Sequence, residues 1–196
     1  MALTLTHLDP KSRSLMIEEI NHDITASRLY MSPRLTTAGQ AQYPTLLTKA
    51  AQTYDDAWLA QQIRMQGLLK TEETRRTPSG GTTTARVPVT APDTLAEGEC
   101  NRFYCRAICV RAIEEGKASV QVYRAKHVEN PRPESQAKVG ALFDAKQLLN
   151  DLRTSQGVEP ALGIPPGPNW VSGSSRAAAG PQCTRVSCPT AAHAGH

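Results

Sequence analysis

The stretch LAEGECNRFYCRAICVRAIEEGKASVQVYRAK, residues 95–126, decides how this chain folds. At about 100 degrees per residue, Cys100, Phe103, Tyr104, Ala107, Ile108 and Val110 fall on one broad arc, while Arg102 and Arg106 fall away from it. That spacing predicts a long amphipathic helix. Glu99 with Arg102, and Arg111 with Glu115, stand at the i,i+3 and i,i+4 separations at which opposite charges meet on a helix. Gly116 then supplies a C-cap, after which Val120 and Val122 alternate with Gln121 and Tyr123 as in a half-buried strand. The unit reads as packing rather than as an active site.

Towards the N-terminus, Asp9 before Pro10 marks a helix start, because the carboxylate accepts from free N–H groups and proline suits the first helical position. Leu15, Met16, Ile17, Ile20 and Ile24 give that helix an apolar stripe, with Glu18, Glu19 and Asp23 assigned to its wet side. Thr37 and Gln40 have capping-box spacing and open a second helix, which Pro44 must kink or start. Asp55 and Asp56 precede a third, carrying Trp58, Leu59 and Ile63. Residues 1–69 therefore read as a helical lobe. Residues 70–94 change character: they are rich in Thr, Pro and Gly, with a turn signal at Ser79-Gly80-Gly81, and predict an extended arm, hairpin or linker made basic by Arg75, Arg76 and Arg86.

On the C-terminal side, a last helix opened by Asp144 completes a helix-strand-helix unit over residues 95–154. Residues 155–196 are rich in Pro, Gly, Ser and Ala, a composition that buries too little apolar surface to offset its ordering entropy, and they predict a disordered tail. The expected fold class is α+β, predominantly helical.

The chemistry-bearing residues mostly admit plain readings. Cys183, Cys188, His193 and His196 form C-x4-C-x4-H-x2-H, the ligand types of a structural zinc site. The spacing matches no familiar finger, and Val186 alone is available to pack beneath a metal, so an unstructured tail is the first reading and zinc the second. Cys100, Cys105 and Cys109 share one helix and read as small packing thiols; a catalytic role for Cys105 or Cys109 would require a base such as His127. Arg75, Arg76, Arg86, Arg102 and Arg106 are the residues through which a nucleic acid would be bound, but acidic residues interrupt the basic stretch. There is no Gly-rich phosphate loop, metalloprotease pair or nucleophile elbow in the sequence.

Composition narrows the classes further. With 39% apolar and 5% aromatic residues among 196, and with 14 Pro and 13 Gly, the chain predicts a modest core flanked by irregular segments. A net charge of +4 is far from that of a dedicated nucleic-acid binder. No apolar run is long enough to span a bilayer, and the first residues lack the pattern of a signal peptide, so the expectation is a soluble, cytoplasmic protein without a membrane partner. Five cysteines, an odd number, then predict reduced thiols.

A helical N-terminal lobe, a basic Thr/Gly arm, a long helix and a strand, together covering roughly the first 155 residues, resemble small uncharacterised proteins of bacterial phages and mobile elements. The resemblance implies an accessory or assembly role. The first expectation is accordingly a non-enzymatic interaction or assembly protein that contacts a protein partner or itself; the second is a nucleic-acid-binding protein of modest affinity.

Overall fold

The computed structural model describes residues 3–77, 80–126, 133–155 and 170–174. Within them the chain runs α1 (Pro10–Thr25), α2 (Thr37–Gln52), α3 (Asp56–Met65), β1 (Glu72–Arg76), β2 (Thr82–Arg86), α4 (Ala91–Glu114), β3 (Ser119–Arg124), α5 (Pro133–Lys138), β4 (Leu142–Asp144), α6 (Ala145–Thr154) and β5 (Trp170–Ser174). The class is α+β and predominantly helical, with two small antiparallel sheets.

Local sequence sets the helix ends. Asp9, Asp55 and Asp144 each turn a carboxylate onto a free N–H, of Ser12, Trp58 and Gln147 respectively. The cap of α2 is Thr36 rather than Thr37, its hydroxyl accepting from the Gly39 N–H at 3.0 Å, and the helix runs on through Pro44. Gly116 ends α4 at φ +70°: its N–H meets the Ile113 carbonyl and that of Lys117 meets Ala112, the paired bonds of a Schellman motif.

The largest departure from the sequence reading concerns α4. Where the spacing predicted one apolar arc, the structure makes it the central helix, packed by α1, α2, α3, α6, β3 and β5, and its buried residues run through every turn from Ala91 to Ala112. One continuous apolar core takes in residues of both the first seventy positions and the helix-strand-helix unit, from Leu3, Tyr43 and Ile63 to Phe103, Val120 and Leu148. Burying α4 on all sides also buries its charges. Arg106 has no exposed surface, and its guanidinium meets two acids of α1: Nε reaches Glu19 Oε2 at 2.7 Å and Nη1 reaches Asp23 Oδ2 at 2.5 Å. Arg153 of α6 pairs with the same Glu19, so two guanidiniums and two carboxylates join three helices. Glu19 and Asp23 thus leave the wet side expected for them, whereas Glu18 stays exposed.

The second sheet has the order β4-β3-β5 with β3 in the middle, Val120 and Val122 buried and Gln121 exposed. Strand β5 falls inside the segment whose composition predicted a disordered tail: Val120 pairs with Ser174, and the register continues to Arg124 opposite Trp170. The N-terminal residues are fixed just past the C-terminal end of β3 and on α4: the Thr4 N–H donates to the Ala125 carbonyl at 2.8 Å and the His7 N–H to Tyr104 Oη of α4 at 3.1 Å. No helix among the described residues is long and apolar enough to cross a membrane.

Candidate functional site

The arm forms a hairpin. Its register pairs Glu72 with Arg86, Thr74 with Thr84 and Arg76 with Thr82 on one face, and Glu73 with Ala85 and Arg75 with Thr83 on the other. No large apolar side chain lies on either strand, and nearly every position is exposed. A two-stranded ribbon of this kind is marginal by itself. It is held at its base, where Lys70 N–H donates to the Arg34 carbonyl, Val87 N–H to Thr71, and Leu35 and Leu69 form an antiparallel bridge. Arg34 adds a forked pair to Glu73, at 2.5 and 3.1 Å. Glu73 also takes Arg75, at 2.5 Å from its Nη2, and these two guanidiniums hold its carboxyl below the ordinary value.

The face bearing Glu72 and Arg86 continues downward into an open groove of about 540 Å³. Its apolar lining comes from Ile63, Leu69, Val87, Pro88, Val89 and Pro92, and its charged lining from Arg64, Lys70 and Arg86 against the single carboxylate of Glu72. Val89 is 89% exposed, the extreme among the exposed large apolar residues described. Arg64 is paired with Asp93 at 2.7 Å, and Lys70 donates to the Pro33 carbonyl at 2.8 Å. For Arg86 and Arg76 no ion pair is formed among the described residues.

This geometry divides the five arginines that the sequence offered for nucleic acid. Arg76 and Arg86 share the outer face of the hairpin, and Arg75 lies on the opposite face against Glu73. Arg102 is half-buried and donates to the Leu152 carbonyl at 3.1 Å, with burial drawing its pKa down. Arg106 is wholly interior, so contact of its guanidinium with a phosphate is ruled out by the ion network around it. Cys183, Cys188, His193 and His196, like Ser79 and His127, lie outside the described residues. The groove lining at Lys70 and residues 87–89 escaped the sequence reading; the Val-Pro-Val run between arm and helix was its one signal.

The interior holds a second polar cluster. Glu99 is buried, its Oε2 has no hydrogen-bond partner among the described residues, and burial pushes its carboxyl up to about 7 despite Arg102 and Arg106 nearby. Tyr43 Oη, also buried and unpartnered, has its pKa raised by burial and then by Glu99. Cys100 is buried as well, and burial drives its thiol further from ionisation, the opposite of what a nucleophile requires. Cys105 and Cys109 are buried on the same helix. Among the described residues, no three His, Cys, Asp or Glu side chains group as metal ligands would.

Comparison with protein-family models, with curated proteins and with solved structures finds no match for this chain.

Proposed function

We propose that this chain is a non-enzymatic interaction or assembly protein of the cytoplasm, of the accessory kind carried by phages and mobile elements, and that it meets its partner through the β1–β2 hairpin and the groove at its base. The groove carries the reading: its apolar lining, exposed at Val89 and half-buried at Leu69, Val87 and Pro88, is continuous with a projecting hairpin face, the kind of surface that a partner chain covers. Support also comes from the hairpin itself, whose two strands have no third strand beside them among the described residues and which adds nothing to the apolar core. The second reading, nucleic-acid binding of modest affinity, rests on Arg76, Arg86 and Lys70 and has lost Arg106.

Size-exclusion chromatography with light scattering separates the two, run over a concentration series with and without mixed DNA at low salt. A mass that rises with concentration and ignores DNA is the expected result. A strict monomer that DNA shifts, and that salt releases, would replace this reading with the nucleic-acid one.

A further inference from the structure

A second surface lies at the opposite end of α3 from the groove. The groove takes Ile63 and Arg64 from the C-terminal end of this ten-residue helix, and a hollow of about 490 Å³ takes Asp55, Asp56 and Trp58 from its start. The two are separated by the length of the helix, about 15 Å. Leu5 and Leu8 line the hollow, with Tyr54 stacked on Trp58 at 4.2 Å between ring centroids and 9° between planes. Tyr54 is 46% exposed, in contrast to most aromatic residues of the core.

Charge gives the hollow the opposite sign to the groove. Arg13 borders it, but its Nη1 is turned onto the carbonyls of Ala50, Ala51 and Tyr54 at the end of α2, at 3.4, 2.7 and 3.1 Å. Asp56 is buried and accepts from the Leu3 N–H, leaving Asp55 as the exposed carboxylate of the hollow. On the groove side, exposed Arg86 stands three residues from exposed Val89. An exposed aliphatic residue beside a cation, and an aromatic hollow beside a carboxylate, match apolar surface with apolar surface and charge with opposite charge.

We propose that copies of this chain associate head to tail, with Val89 of one copy seated against Tyr54 and Trp58 of the next and Arg86 facing Asp55. The occupant of the hollow is a second copy because this chain itself carries the matching tip. The two patches differ and lie at opposite ends of one helix, so the contact is heterologous: a pair of copies keeps one free tip and one free hollow, and assembly closes into a ring or continues as a filament. This rests on the assembly reading above and narrows it to self-association through two named surfaces.

The test uses the full chain and two blocked variants in sedimentation velocity, with circular dichroism confirming that each is folded. Val89→Asp places a carboxylate on the tip, and Tyr54→Lys places a cation in the hollow. Each is expected to weaken self-association roughly tenfold or more. Mixed together they should form dimers and nothing larger, because the hollow of V89D is intact and so is the tip of Y54K. If Y54K melts well below the parent, Asp55→Asn takes its place, since asparagine keeps the α3 cap while removing the charge. A parent that assembles while both variants assemble equally well, or a mixture that stays monomeric, overturns the head-to-tail contact but leaves an assembly protein. A parent that is monomeric at every concentration removes this inference and the self-association behind it together.

Discussion

At the scale of single residues, the interior of this protein is organised around charges that a helical wheel would place in water. Arg106 is the clearest case, because among the described residues its guanidinium hydrogen bonds go to Glu19 and Asp23 and it lies over the Phe103 ring at 5.0 Å. Burial alone would raise the Glu19 carboxyl, but Arg153 and Arg106 outweigh it and hold it low. For Asp23 the same burial is outweighed by Arg106 first and then by His22. Arg106→Ala leaves two carboxylates buried with less compensation, and we expect a loss of about 3–5 kcal/mol in urea unfolding. Arg106→Lys should recover only part of this, since an ammonium cannot span both acids as the planar fork does. A loss below about 1 kcal/mol in the alanine variant would mean that the network is dispensable. Glu99 behaves in the reverse sense. Its folded carboxyl binds a proton up to about 7 against 4.5 unfolded, so between those values the folded chain holds more protons and stability falls as pH rises. Glu99→Gln should flatten that slope, leaving the melting temperature near the parent's at pH 5 and raising it at pH 8 by roughly 2–4 °C for each kcal/mol regained. Equal slopes in parent and variant would assign the pH dependence to another group.

At the scale of elements, the position that ties the helices to the arm is Gly39. A Cβ placed there would stand 2.3 Å from the Leu68 carbonyl oxygen and 3.1 Å from Leu35 Cδ2, so α2 passes directly over the segment that roots the hairpin. The neighbour is backbone and is itself bonded, its carbonyl accepting from the Thr36 N–H at 2.9 Å, and it has little room to yield. Gly39→Ala is therefore expected to destabilise the chain by about 2 kcal/mol or more and to loosen the hairpin base, read as faster amide exchange at Lys70 and Val87. Unchanged exchange there would show that the helix moves instead. Local signals of this kind also explain what was legible beforehand. Asp9, Asp55 and Asp144 announce their helices because a cap involves only the three residues after it, and Gly116 announces an end for the same reason. The central place of α4 was not legible, because the partners of Arg106 lie 83 and 87 residues away and nothing local distinguishes a buried arginine from a solvated one. The hairpin could be read from its Thr and Gly content, whereas the groove could not, since its lining comes from α3, the hairpin root and the start of α4.

At the scale of the whole molecule, β5 changes how far the folded unit extends along the chain. Composition alone assigned residues 155–196 to a tail, since of the five residues of β5 only Trp170 and Val171 favour a strand and Pro, Gly and Ser surround them. In the structure Trp170–Ser174 pairs antiparallel with β3 along almost its whole length and also packs against α4, so it closes one edge of the sheet and part of the central helix. Without it β3 keeps only β4, which pairs with three of its residues. Two truncations decide what β5 contributes. A chain ending at Ser174 retains the strand and one ending at Ser155 lacks it, so the shorter should melt lower than the longer by at least about 5 °C in calorimetry. Amide exchange should agree: Val122 and Arg124 lie opposite Ser172 and Trp170, and the Val122 N–H is separately bonded to the Ala141 carbonyl. Loss of β5 should therefore speed exchange along β3 as a whole while sparing Val122 more than its neighbours. Equal melting of the two truncations would mean that β3 and α4 are stable without that cover, and the folded unit would then end with α6, as the composition had suggested.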